Sequence, residues 1–214
     1  MGRFFLALFV LAVAAAAVSA ADLEQLFFSR TQEGGVPPYF DVTVGADGRV
    51  VYREALDDEF PVEFQAPAAD VSRLFEISKQ LGYFAYPLPA PKRPPPSSGD
   101  KVLRYTSASG ETHQVEFVYS PDEGARELAG WFAKVAETES YFISLERSVQ
   151  FDRLGVNSVV LDLHAAFNRG RIIAPRQFLP LLQRVVNDKK ILHLARSRAA
   201  GLSEQIEAES VVAE

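Results

Sequence analysis

Between Pro87 and Gly99 the chain reads PLPAPKRPPPSSG, six prolines in thirteen positions. Proline fixes φ and has no amide donor, so neither a helix interior nor a central strand can run through such a segment. It must be a stiff loop, and it splits the sequence before residue 140 into two stretches. Each stretch carries the same order of signals, strands first and then a helix.

In the first stretch Tyr39, Val42 and Val44 lead into Gly45-Ala46-Asp47-Gly48, and Val50, Val51 and Tyr52 lead out. β-branched and aromatic residues around a Gly/Asp turn predict a hairpin over 39–54. Phe60, Val62 and Phe64 alternate with Pro61, Glu63 and Gln65, which predicts a third strand with one buried face. Pro67 then suits the first position of a helix, and Asp70 suits its first turn. Val71, Leu74, Phe75, Ser78 and Leu81 follow at helical spacing, and Gly82 stands where a C-terminal cap belongs.

Beyond the proline loop, Lys101 to Ser107 and Thr112 to Tyr119 flank Ala108-Ser109-Gly110 as a second hairpin. Ser120-Pro121-Asp122-Glu123 reads as a capping box, with Ser120 as N-cap and Glu123 three residues on. Leu128, Trp131, Phe132 and Val135 mark the helix behind it. The fold class is therefore α+β: one antiparallel sheet from two strands-then-helix units, with both helices on one face.

Residues 141–206 read as helices only. Val156, Val159, Val160, Leu163 and Phe167 form one stripe, and Phe178, Leu179, Leu182 and Val186 form another after Pro175. Asp188 suits the cap of a last helix carrying Ile191, Leu194, Ala195 and Leu202. A helical hairpin or three-helix unit follows from the short connections. Residues 207–214 are acidic and aperiodic, which predicts a flexible tail. The expected division is 1–20 signal peptide, 21–140 α+β domain with the loop at 87–99, 141–206 helical region and 207–214 tail.

The first assignment rests on Arg3, the uncharged apolar run Phe4–Val18 and the small residues Val18-Ser19-Ala20. These are the positive n-region, h-region and cleavage site of an exported protein. Fifteen apolar residues fall short of the roughly 20 that cross a bilayer as a helix, so a cleaved signal peptide is preferred to the alternative, an uncleaved membrane anchor. Cleavage near Ala20 predicts a periplasmic or secreted protein. There is no cysteine, which excludes disulfides, thiol nucleophiles and thiolate metal sites.

The segment 39–52, the helix ending Leu81-Gly82-Tyr83-Phe84 and the second hairpin together resemble an uncharacterised family of exported bacterial domains. The shared pattern is a tyrosine, a Val/Ile strand, an Asp-Gly turn and a Val-x-Tyr return. Here it stands as Tyr39, Val42, Val44, Asp47-Gly48, Val50 and Tyr52. The resemblance covers roughly residues 23–138 and implies the fold without an activity. Members often carry cysteines before the first strand, where this chain has Gly34-Gly35-Val36-Pro37-Pro38.

No catalytic or cofactor signature emerges. His113, His164 and His193 fall on separate predicted elements at no metal-ligand spacing. Asp57-Asp58-Glu59 lacks the alternation and pivot glycine of a calcium loop. There is no G-x-S-x-G, no P-loop and no G-x-G-x-x-G. No cofactor, no metal site and no nucleic-acid partner are expected.

Charge is distributed unevenly. Residues 21–146 hold 11 Lys/Arg against 21 Asp/Glu, whereas residues 147–200 hold 10 against 3. Arg169, Arg171, Arg176, Arg184, Lys189, Lys190 and Arg196 are thus candidate contacts for an anionic surface, such as a membrane leaflet, an acidic polymer or an acidic partner. The other reading is that these residues dock the helices on the protein's own acidic half, and that reading is preferred to membrane contact. The expected function is a non-catalytic envelope or secreted module acting through protein–protein contact. The rival from another class is a hydrolase with an unrecognised site on the sheet.

Overall fold

The computed structural model describes residues 24–93, 95 and 99–212, with side chains described to 209. The expected signal peptide lies outside the described residues, as do positions 94 and 96–98 of the proline loop.

Six strands form one antiparallel sheet in the order β4-β3-β2-β1-β5-β6. They are β1 Gln25–Thr31, β2 Tyr39–Gly45, β3 Arg49–Arg53, β4 Val62–Gln65, β5 Asp100–Thr106 and β6 Thr112–Phe117. β1 pairs with β2 on one side and β5 on the other, aligning Phe28 with Val42 and with Leu103. It therefore joins the two strands-then-helix units into a single sheet.

Two helices, α1 (Ala68–Gln80) and α2 (Glu123–Phe151), cover one face. Period-2 alternation puts Leu26, Phe28, Phe40, Val42, Val50, Tyr52 and Leu103 on that face, where they meet Leu74, Ile77, Leu128 and Phe132 in one buried core. Phe132 stacks on Phe28 with centroids 4.8 Å apart and planes at 1°. The α1–α2 contact is fastened by Trp131, whose indole N–H donates to Asp70 at 3.0 Å. Gly82, just past α1, has φ +62, the left-handed conformation a helix C-terminus favours.

The N-terminus of α2 differs from the expected capping box. Asp122 is the N-cap, accepting from the Ala125 N–H at 2.9 Å. Ser120 instead accepts from the Asp122 N–H at 3.2 Å, so it shapes the entering turn. A carboxylate adjoining the helix is better placed than a hydroxyl two residues earlier to serve the first free amides.

α2 then continues for 29 residues, so the boundary expected at 140 falls inside an unbroken helix. Its second half enters a separate core with α3 (Val156–Asn168), α4 (Leu179–Asn187) and α5 (His193–Val212). Residues 207–212, expected to be a flexible tail, continue α5 as helix. Asp188 does not cap α5: it accepts from the Lys190 N–H at 2.9 Å, within the turn before it. Leu194, expected in the α5 stripe, is 58% exposed. Among the described residues no helix is long and apolar enough to cross a membrane.

Candidate functional site

β4 ends the sheet. Ala66 N–H bonds to Gly48 O at 2.9 Å, and Phe64 pairs with Val50. Antiparallel alternation then turns the main-chain groups of Glu63 and Gln65 away from β3, toward the free edge. Their side chains are engaged elsewhere. Glu63 receives a bidentate Arg49 contact at 2.8 Å, and Gln65 donates to Asp47 O at 2.7 Å. Pro61 and Pro67 bracket the strand and keep the open edge short, a common protection for an unpaired strand.

Beside this edge lies a cleft of about 940 Å³. Phe64, Ala66 and Ala68 form one wall, and Phe142, Ala174 and Pro175 form the other, with Arg176, Gln177 and Glu209 at its polar rim. The second wall exists because the turn after α3 is pinned to α2. Thr138 Oγ1 accepts the Ile173 N–H at 3.0 Å, and Ile173 is buried in the first core. Phe142 is held from behind by an edge-on contact with Phe178 at 5.7 Å.

Close to this wall sits Glu139, fully buried. Neither carboxyl oxygen has a hydrogen-bond partner, and neither has the buried Oε1 of Gln177. Burial pushes the Glu139 pKa up to about 8; nearby Gln177 opposes the rise only in part. The Gln177 amide is committed to Ile173 O at 3.3 Å, and no well-formed hydrogen bond joins it to the carboxyl. A neutral Glu139 suits such a place, because ionisation would leave an uncompensated charge away from water.

The seven basic candidates do not converge. Arg171 pairs with Glu137 at 2.6 Å, tying the turn after α3 to the acidic half of the chain. Arg176 is at the cleft rim. Arg169 is exposed at the end of α3. Arg184, Lys189 and Lys190 lie at the opposite end of the helical region, at the C-terminus of α4 and the turn beyond it. Arg196 is half-buried on α5, with its Nε sequestered from partners. The histidines are also apart: His113 meets Glu111 at 3.2 Å, His164 meets Gln205 at 2.8 Å, and His193 begins α5.

Besides the Arg49–Glu63 ion pair, the sheet face without helices carries a second polar cluster among the described residues. Tyr39 donates to Asp41 at 3.0 Å, and Arg53 approaches Asp41 at 3.4 Å. Burial first, then Asp41, pushes the Tyr39 hydroxyl up to about 12. Burial raises Asp41 as well, against the Tyr39 hydrogen bond and Arg53. Tyr39 thus stays protonated as a donor, and the three groups satisfy one another.

The sequence pattern contains the cleft's separate parts, the β4 strand and Pro175, but not their meeting. That depends on Ile173 reaching the first core. The one available signal was Thr138, a polar residue in register with buried positions of α2. Compared with known proteins, the chain matches no family model, no curated protein and no solved structure.

Proposed function

We propose that this protein is an exported, non-catalytic module of the cell envelope or secreted space that works by protein–protein contact. It would grip an extended apolar segment of its partner in the cleft beside β4. The observation that carries this reading is the pairing of an open strand edge with an apolar trough. Edge main chain supplies hydrogen bonds to an added strand, while alternate side chains of that strand fill the trough. The outward groups of Glu63 and Gln65 would supply the first, and Phe64, Phe142 and Pro175 the second. Because the open edge is short, only a few residues of the partner would pair, which suits a reversible contact.

The competing hydrolase reading would place its site on the uncovered sheet face. There, the group nearest to catalytic chemistry, Tyr39–Asp41–Arg53, is already internally satisfied. Its one hydroxyl beside a carboxylate, Tyr39, is pushed up to about 12 by burial and then by Asp41, which holds it as a donor and keeps it from acting as a nucleophile.

The test is selection of peptides from a random displayed library, followed by amide hydrogen exchange with the best binder. Protection should appear at Glu63 and Gln65, and Ala68→Arg, at the exposed mouth, should abolish binding without lowering the melting temperature. Selected peptides that protect β6 or the uncovered face instead, or a library that yields no binder, would overturn the reading.

A further inference from the structure

At the end of the helical region away from the sheet, two turns come together. The turn 152–155 joins α2 to α3, and the turn 188–192 joins α4 to α5. Arg153 Nε and Asp188 Oδ2, one from each turn, pair at 3.2 Å. Arg198 donates to Asn157 Oδ1 at 2.8 Å, and His164 meets Gln205 at 2.8 Å. α3 and α5 therefore run parallel and start at the same end.

That end carries four large apolar side chains in water: Phe151 is 76% exposed, Leu154 77%, Leu192 49% and Leu194 58%. They occupy helix ends and turns. The nearest depression, between α2 and α4, is lined mainly by polar residues such as Gln150, Gln183 and Asn187. Around the apolar group stand Arg153, Arg184, Lys189 and Lys190. Segments 151–155 and 184–194 contain only two acids, Asp152 and Asp188. Both acids are engaged: Asp152 accepts from the Gly155 N–H at 3.0 Å, and Asp188 holds Arg153 and the Lys190 N–H.

From this arrangement we propose that the tip docks on an anionic bilayer surface, with Phe151, Leu154, Leu192 and Leu194 entering the headgroup layer and Arg184, Lys189 and Lys190 meeting lipid phosphates. Charge complementarity and the exposed apolar side chains together select this partner. Exposed apolar side chains ringed by Lys and Arg gain both apolar burial and attraction at an anionic interface. A soluble acidic peptide would satisfy the cations but would leave the apolar side chains in water, because the adjoining depression is lined mainly by polar residues. The surface is also on the far side of the helical region from the β4 cleft, so membrane contact leaves the cleft open.

The chain has no cysteine, so a single introduced thiol reports on one place only and separates the tip from every other part of the chain. Full-length Leu154→Cys carrying an environment-sensitive dye is mixed with vesicles of phosphatidylcholine alone, or with about a third of the lipid replaced by phosphatidylglycerol. The dye should shift to the blue with the anionic vesicles, at least about tenfold more strongly than with neutral ones, and added salt should weaken the shift. Lys189→Glu with Lys190→Glu should remove it while the melting temperature holds; Arg184→Gln should weaken it, as a check if the double variant unfolds. The same dye at Leu56→Cys, on the β3–β4 turn, should stay unshifted. A dye at Leu154 that ignores anionic vesicles overturns the proposal, as does one that responds equally to soluble polyglutamate, which would point to an acidic protein partner.

Discussion

Thr138 Oγ1 accepts the Ile173 N–H at 3.0 Å while donating to Lys134 O at 2.9 Å, with Thr138 fully buried and Ile173 nearly so. This residue on α2 thereby fastens a turn of the helical region into the core beneath the sheet. Replacing it with Val keeps the shape and removes the acceptor, leaving a buried N–H without a partner. Thr138→Val should lower stability by about 1–3 kcal/mol, and Thr138→Ser should cost less. Urea unfolding of both variants is the check; equal curves for Val and wild type would mean that the bond contributes nothing to the joint.

Glu139 gives the protein a pH dependence of definite sign. Its carboxyl ionises near 4.5 in the unfolded chain and near 8 in the folded one. Between these values the folded state holds a proton that the unfolded state has lost. Stability should therefore be greatest below about pH 4.5 as far as this group is concerned, fall as pH rises, and level off above about 8. The slope is at most roughly 1.4 kcal/mol per pH unit. Glu139→Gln stays neutral throughout, so its melting temperature should overtake that of wild type as pH rises. Parallel melting profiles between about pH 5 and 8 would show that Glu139 ionises normally.

The N-terminus of α2 offers a sharper test than helix content. Asp122→Ala should cost about 0.5–2 kcal/mol, whereas Asp122→Asn keeps an accepting oxygen and should stay near wild type. Thermal melts that place Ala and Asn together would refute the Asp122–Ala125 cap.

What the sequence reveals, and what it hides, can be traced to particular residues. Both hairpins, α1 and the antiparallel layer follow from alternation at Val42, Val44, Val50 and Tyr52 and from helical spacing at Val71, Leu74 and Ser78. β1 escapes because Phe27 and Phe28 adjoin, which blurs the alternation, and because no tight turn leads from it to β2. Yet β1 lies in the middle of the sheet, where both of its neighbours supply the pairing that local pattern does not. The unbroken length of α2 is hidden by Thr138 and Glu139, two polar residues at core positions that interrupt the apolar stripe. The cleft and the apolar tip depend on distant segments brought near one another, 64 facing 175 across the cleft and 153 paired with 188, and no local period encodes them. The capping error is of another kind: Ser120 and Asp122 are both good caps, and sequence spacing alone does not choose between them.

The uneven charge invites the view that electrostatics holds the two halves together, and the contacts suggest a different weighting. Arg171 and Glu137 form an ion pair across the halves, with side chains 55% and 25% exposed. Such a pair is screened by salt and contributes about 0–1 kcal/mol. Among the described residues the joint also includes the continuous α2 helix, the Thr138–Ile173 hydrogen bond and the burial of Ile173, which salt does not screen. Ending the chain at Glu139 removes residues 140–151 of α2 together with Ile173, and should lower the stability of the sheet unit well beyond what Arg171→Ala does alone. Arg171→Ala should cost about 1 kcal/mol or less. Raising ionic strength should leave segment 141–151 as resistant to proteases as before, because it is helix and not a linker. Circular dichroism melts of the shortened chain and limited proteolysis across a salt series measure both effects. A shortened chain that melts like the intact one, or new cleavage within 141–151 at high salt, would show that charge rather than packing holds the halves together.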